Sequence, residues 1–204
     1  MIPYISRFLS SILSPLLSPS YGAFLALWVS ILCYQPIGTR LAVLIVIFGV
    51  TCVLPMAVIG ILHNLKLIED RNLDNRKERP LPYIATITCY IAATLYLIHV
   101  HAPAWFTAFM GGSILTCTIS LIINFWWKIS AHCAGFGGLV ALLFFLHNEG
   151  LESFNLFWVI CLVIILSGIV GSSRIYEGKH NFWQVLIGFL NGYISVNLIM
   201  NLFS

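Results

Sequence analysis

Long apolar stretches separated by short polar segments organise this chain. A membrane-spanning helix needs about 20 mainly apolar residues. Stretches near that length cover residues 20–37, 41–62, 82–100, 103–126, 132–147, 154–171 and 181–203. The first is the weakest, because Pro36 and Gly38 closely follow a short apolar run. The pattern predicts an all-α, polytopic transmembrane helical bundle of six or seven spans, forming a single integral membrane domain over residues 1–204.

The N-terminal residues 1–20 precede these spans. They contain Arg7 and then short apolar and serine–proline stretches, without a small-residue cleavage signature. We therefore expect a retained interfacial segment rather than a signal peptide.

Composition supports a membrane environment. Hydrophobic residues make up 60% of the 204 residues and charged residues 8%, whereas soluble domains carry about a quarter charged residues. The net charge is only +3, and no stretch interleaves basic and aromatic residues, so we expect no nucleic-acid partner. The six cysteines show no metal-ligand spacing, and the sequence predicts neither a metal site nor a cofactor.

Polar segments alternate between the two ends of the predicted bundle. Residues 63–80, 126–132 and 172–180 each follow an even-numbered span, so they emerge on the same face. The opposite face receives residues 35–40, 101–103 and 147–153, where Arg40 is the only lysine or arginine. The sequence therefore predicts a polar site at one membrane boundary.

The residues gathered on that face suit an anionic ligand. Arg79, Arg174, His132 and His180 all lie at predicted helix boundaries or in tight loops. Guanidinium groups pair with phosphate oxygens in bidentate fashion, and helix N-termini offer unpaired N–H groups to anions. We expect a phosphate site there. For Lys66, Arg71 and Lys179 we expect the commoner role of anchoring loops to lipid headgroups.

Three segments of the chain resemble the signature of the type 2 phosphatidic acid phosphatase superfamily, membrane phosphatases related to vanadium haloperoxidases. That signature reads K-x6-R-P, P-S-G-H and S-R-x5-H-x3-D. The chain has Arg79-Pro80, then Ile-Ser-Ala-His at 129–132, then Ser173-Arg174-x5-His180-x3-Gln184. The resemblance covers about residues 66–192.

The chain departs from this signature at three positions. Asn72 stands where the family has lysine, and Arg76 or Lys77 is the candidate replacement cation. Ala131 replaces the glycine of the second motif, and Gln184 replaces the final aspartate.

The resemblance implies a metal-independent phosphoric ester or diphosphate hydrolase. It implies that His180 attacks phosphorus to form a phosphohistidine and that His132 acts as general acid and base. Gln184, four residues after His180 on a helix, is expected to orient it, with Glu177 as the alternative, and without the aspartate the activity is expected to be weak. Phosphate-binding roles are implied for Arg79, Arg174, Lys77, Arg76, Ser130 and Ala131.

Other functions stay open at this point. A non-hydrolytic lipid-phosphate binder or a phosphotransferase fits the same scaffold, and Gln184 is the best support for it. A small transporter is less favoured because the span centres carry almost no charge. An intramembrane prenyltransferase is disfavoured because Asp70 and Asp74 are the only aspartates in the chain.

Two arguments disagree on which side of the membrane the site faces. The positive-inside rule places the basic face in the cytoplasm, whereas the family resemblance implies an extracytoplasmic site. Since most of those basic residues are assigned to phosphate chemistry, we predict a periplasmic site in a bacterial inner membrane. The expected substrate is a lipid phosphate drawn from the surrounding membrane lipids.

Overall fold

The structure is a computed structural model that describes residues 14–69, 73 and 75–203. The expectations for Arg7, Arg71, Asn72, Asp70 and Asp74 lie outside these residues. Seven apolar helices follow one another over the described part of the chain: α1 (Ser18–Val29), α2 (Ile37–Asn64), α3 (Pro80–His99), α4 (Ala104–Asn124), α5 (Ala131–Asn148), α6 (Phe157–Tyr176) and α7 (Phe182–Phe203). Helices α2 to α7 are long and apolar enough to cross a membrane, so the predicted polytopic helical bundle is confirmed.

Helix α1 is shorter than the span predicted for residues 20–37. With the preceding 3-10 turn it covers only Pro15–Val29. Ser30 ends it: its backbone is extended, and its hydroxyl accepts from the N–H of Leu32 at 3.0 Å. The chain then docks on the opposite loop, where Ile31 N–H donates to the Leu151 carbonyl at 2.8 Å. A local side-chain bond therefore replaces the continuation of the helix.

The start of α1 lies inside the bundle. Ser18 is only 6% exposed, and its hydroxyl fills the space beside Gly135 of α5. Residues 15–20, expected in an interfacial segment, therefore lie in a packed helix. For residues 1–13, which are outside the described part, the interfacial segment stays a prediction.

Helix α2 contains a π-helical turn at Gly49–Val53, just before Pro55. Proline has no N–H to donate and its ring crowds the carbonyl four residues earlier, so the preceding turn widens. The widened turn packs on α1, where the hydroxyls of Ser20 and Thr51 lie 3.2 Å apart.

Helix α5 lies at the centre, since 67% of its apolar window is buried inside the protein. It packs against α7 at very short range because glycines line the contact. A Cβ added at Gly192 would lie 1.8 Å from the carbonyl oxygen of Ala134, and one at Gly137 would lie 2.1 Å from that of Phe189. Small residues allow such backbone approach between membrane helices. The start of α5 is thereby held against the start of α7.

Helix α7 is also tied to α4 by a buried polar side chain. The amide of Asn191 donates to the Thr116 carbonyl at 3.1 Å and to the Ser120 hydroxyl at 3.0 Å. Interhelical hydrogen bonds of this kind contribute on the order of 1 kcal/mol in membranes. The three helices α4, α5 and α7 form the frame on which the polar end is built.

Candidate active site

A cavity of about 1280 Å³ opens at the polar end of the bundle. Arg79, His132, Arg174 and His180 all line it. These four side chains come from three segments that lie far apart in sequence, and helices α1, α3, α5 and α7 all begin at this end. The structure therefore brings together the two histidines and two arginines singled out from the sequence.

Two loops hold Arg79 at the start of α3, the one that precedes it and the one between α4 and α5. Its Nε donates to the Leu73 carbonyl at 2.8 Å and its Nη1 to the Ile129 carbonyl at 3.2 Å. The side chain is 8% exposed. Pro80 follows it at the first helical position, where the missing N–H costs nothing. Arg79 thus joins the first sequence segment to the second.

The second segment begins α5. Ser130 is fully buried and caps the helix, with its hydroxyl accepting from the N–H of Cys133 at 3.4 Å. Its own N–H donates to the Gln184 carbonyl at 3.2 Å, which joins the second segment to the third. A Cβ at Gly188 would lie 2.6 Å from the Ser130 carbonyl. Ala131, at the first helical position, lines the cavity, and the N–H groups of a first helical turn have no acceptor within their own helix.

The third segment is a tight turn between α6 and α7. The N–H groups of Lys179 and His180 both donate to the carbonyl of Arg174, at 3.1 and 3.2 Å. Gly178 makes the turn possible with a φ of +67°, in the left-handed region that glycine adopts without penalty. Arg174 and His180 are therefore brought to the same wall of the cavity.

Arg174 forms an ion pair with Glu177. Its Nη1 lies 2.9 Å from the Glu177 carboxylate, and both side chains are almost buried. Glu177 was the alternative candidate to orient His180. The structure instead gives His180 a bond to Gln184, whose Oε1 lies 3.2 Å from Nδ1. The roles of these two residues in catalysis stay predictions.

The pKa of His180 falls from its ordinary value near 6.5 to about 3. Burial is the main cause, and the positive charges of Arg79, Lys128 and Arg174 add to it, while the bond to Gln184 opposes it. His180 is therefore neutral at physiological pH. A neutral imidazole has one nitrogen with a free lone pair, as a nucleophile requires.

Arg76 and Lys77, the candidates for the missing cation, are not among the described residues lining the cavity. The Arg76 guanidinium donates to the Phe125 carbonyl at 3.3 Å, and its own carbonyl accepts from Asn124 at 2.8 Å. Lys77 is exposed. Arg76 is thus docked on the end of α4, and the phosphate-binding roles of Arg76 and Lys77 stay predictions.

Two lysines reach the site although the sequence did not assign them to it. Lys179 lines the cavity, whereas we expected it to anchor a loop to lipid headgroups. Lys128 lies close enough to lower the pKa of His180. Their positions close to His180 and Ser130 in the sequence were the available indication. Lysine is so common at membrane boundaries, however, that this indication did not distinguish a site residue from a lipid anchor.

The cavity continues from the charged end towards the middle of the bundle. Hydroxyl-bearing side chains of α3 and α4 line this cavity, among them Tyr83, Thr86 and Ser120. Apolar side chains also line it, among them Leu16, Leu17, Phe48, Met56 and Ile59. The site therefore has a cationic head and an apolar extension.

Comparison with known families bears on the second half of the site. The family model of the PAP2 superfamily matches residues 124–204, which include the second and third segments but not Arg79. The resemblance seen in the sequence was expected over about residues 66–192, so the match begins and ends later. No curated protein and no solved structure shows a significant match to the chain. Residues 124–204, with His132, Arg174 and His180, are similar to the PAP2 superfamily, whose members are generally phosphatases.

Proposed function

We propose that this protein is a membrane phosphatase that hydrolyses a lipid phosphate or a polyprenyl or lipid diphosphate through a phosphohistidine on His180. The observation that carries the proposal is the cavity that a neutral His180 lines together with His132, Arg79 and Arg174. The match of residues 124–204 to the PAP2 family model supports phosphatase chemistry in general terms. The lipid substrate and the covalent route are our inference.

The first step forms a bond between the free ring nitrogen of His180 and phosphorus while the ester P–O bond breaks. The departing oxygen takes a proton from a protonated His132. Arg79 and Arg174 bind the equatorial phosphoryl oxygens as charge spreads over them, and the N–H of Ala131 completes the cradle. Ser130 was also expected to bind phosphate, but it is fully buried and instead caps the start of α5. Burial is the main reason that His180 is unprotonated, and the positive charges that add to this effect are neutralised by the bound phosphoryl group.

The second step returns the enzyme to its starting state. His132, now neutral, takes a proton from water as the water oxygen attacks phosphorus. The P–N bond breaks, inorganic phosphate leaves, and His180 is again a neutral imidazole. No redox change occurs, and the proton borrowed from His132 is restored.

The size and lining of the cavity favour a lipid. Small-molecule sites usually measure about 300–1,000 Å³, and this cavity of about 1280 Å³ is larger than a phosphate headgroup needs. Its apolar part, between α2 and the start of α1, suits a hydrocarbon tail. Substrate then enters from the leaflet with its headgroup at the membrane boundary. We place that boundary on the periplasmic side of a bacterial inner membrane.

The test is release of inorganic phosphate by the purified protein from phosphatidic acid, phosphatidylglycerol phosphate, polyprenyl diphosphate and lipid A phosphates. We expect release from at least one lipid and a loss of about 10³-fold or more in His180→Ala. Phosphate release that survives this substitution would overturn the assignment of the nucleophile.

A phosphotransferase is the second candidate, favoured by Gln184, which brings no charge to support a phosphorylated imidazole. It predicts a phosphohistidine that forms on exposure to lipid phosphate but yields no inorganic phosphate until an alcohol acceptor is added. Acid-labile labelling of His180 without phosphate release would favour it over the hydrolase.

A further inference from the structure

The start of α7 contains a reciprocal pair of hydrogen bonds next to the nucleophile. The Asn181 side chain accepts from the N–H of Gln184 at 2.9 Å, and the Gln184 side chain accepts from the N–H of Asn181 at 3.2 Å. This is a capping box, with Asn181 at the cap and glutamine three residues later. Gln184 therefore has a structural role besides its contact with His180.

The cap decides which end of the Gln184 amide faces His180. A backbone N–H can only donate, so the atom that pairs with the Asn181 N–H must be the amide oxygen. The same Oε1 lies 3.2 Å from Nδ1 of His180. Since an oxygen without hydrogen cannot donate, Nδ1 must carry the imidazole proton. The other nitrogen, Nε2, is then the one with the free lone pair.

We propose that Asn181 is a positioning residue that fixes the tautomer of His180 by locking the Gln184 amide in the capping box. The proposal rests on the proposed role of His180 as nucleophile. A carboxylate would hold the imidazole by charge as well as by hydrogen bonding, whereas here the orientation of a neutral amide is imposed by the helix cap. Asn181 itself touches no substrate in this role.

The experiment compares Asn181→Ala, Asn181→Asp and the matched control Asn155→Ala in the full chain. Asn155 accepts from the N–H of Phe157, the first residue of α6, at 2.9 Å, and so bonds to a helix start at the opposite end of the bundle. The readouts are kcat and KM for phosphate release from phosphatidic acid and polyprenyl diphosphate, thermal unfolding in detergent, and the imidazole nitrogen resonances of protein labelled with ¹⁵N-histidine. His180→Ala identifies the His180 signals.

We expect the wild type to show a protonated Nδ1 and an unprotonated Nε2. Asn181→Ala should show a mixture of tautomers and a fall in kcat of about tenfold, the scale of one lost cap, with KM within about twofold. Asn181→Asp keeps the acceptor and should restore both readouts. Asn155→Ala should lose similar thermal stability and change neither.

The proposal is overturned if the wild type carries its proton on Nε2, or if Asn181→Ala matches Asn155→Ala in both tautomer and kcat. Should Asn181→Ala fail to fold, Gln184→Met serves instead, because it removes the shared acceptor while leaving the Asn181 side chain in place. If no lipid is hydrolysed but the tautomer shifts as expected, the proposed function fails and the positioning role stands.

Discussion

The close contact between α5 and α7 leads to a quantitative prediction for Gly192→Ala. The added Cβ would lie 1.8 Å from the Ala134 carbonyl oxygen, against at least 3.4 Å in ordinary contact, so the backbones must separate by about 1.6 Å. Overpacking of this kind costs about 1–3 kcal/mol, and the better helix propensity of alanine returns at most about 1 kcal/mol. Stability should therefore fall.

We expect Gly192→Ala to lower kcat more strongly than it lowers the stability of the protein. Gly192 lies two turns from Gln184, whose carbonyl accepts from Ser130 at 3.2 Å, and a separation of the helices stretches this link between the second and third segments. Misplacement of catalytic groups by about 1 Å costs on the order of 10²-fold in rate. We expect Gly192→Ala to remain folded and to lose about 10²-fold in kcat.

The assay is phosphate release from the best lipid substrate, together with thermal unfolding in detergent. Gly168→Ala is the matched control, because a Cβ added there meets nothing within 4 Å; it should keep full activity and equal or greater stability. If Gly192→Ala behaves like Gly168→Ala in both measurements, the backbone contact does not hold the site together and the reasoning is refuted.

Three further outcomes are expected. Gln184→Glu keeps the capping box but puts a negative charge beside His180, so the pKa of His180 should rise and the acid limb of the pH profile of kcat/KM should move to higher pH; an unmoved limb contradicts this. Arg174→Lys should lower kcat/KM about 10- to 100-fold, because lysine cannot bind phosphate oxygens in bidentate fashion; an effect below threefold in steady-state kinetics would argue against direct phosphate binding. Unfolded His180 binds a proton from about pH 6.5 downwards, whereas the folded protein holds its pKa at about 3. Its contribution to stability is therefore complete above pH 6.5 and should fall by roughly 1.4 kcal/mol per pH unit towards pH 3, a slope that His180→Asn should lack in denaturation experiments.

The positions of the helices and the gathering of the polar groups followed from the sequence. Apolar runs of the right length define spans, and parity alone places every second loop on one face. Arg79, His132, Arg174 and His180 were therefore predictable as neighbours. Their convergence needed no information on side-chain packing, because each lies within one turn of a helix end.

Hydrogen bonds between particular residues could not be predicted from the apolar pattern or from the order of the spans. The capping box looks like any Asn-x-x-Gln in sequence, and its contact with His180 appears only once α7 has a defined start. The docking of Arg76 on α4 depends on the loop geometry, which apolar patterning does not determine. The early end of α1 depends on a hydrogen bond that the Ser30 hydroxyl accepts from the N–H of Leu32. Such a local bond competes with the helix and leaves no mark in the hydropathy of the sequence.

Helix α6 carries Arg174 into the site, yet it packs mainly on α5 and leaves much of its surface to the bilayer, including Trp158, at 78% exposed. A peripheral helix adjusts its tilt when the hydrocarbon thickness changes, at a cost of fractions of a kcal/mol per Å. Because the guanidinium sits in the last turn of that helix, tilt is converted into displacement of a charged group at the headgroup level. Turnover in vesicles should therefore depend on acyl-chain length, because the thickness of the host membrane would set the position of the Arg174 guanidinium.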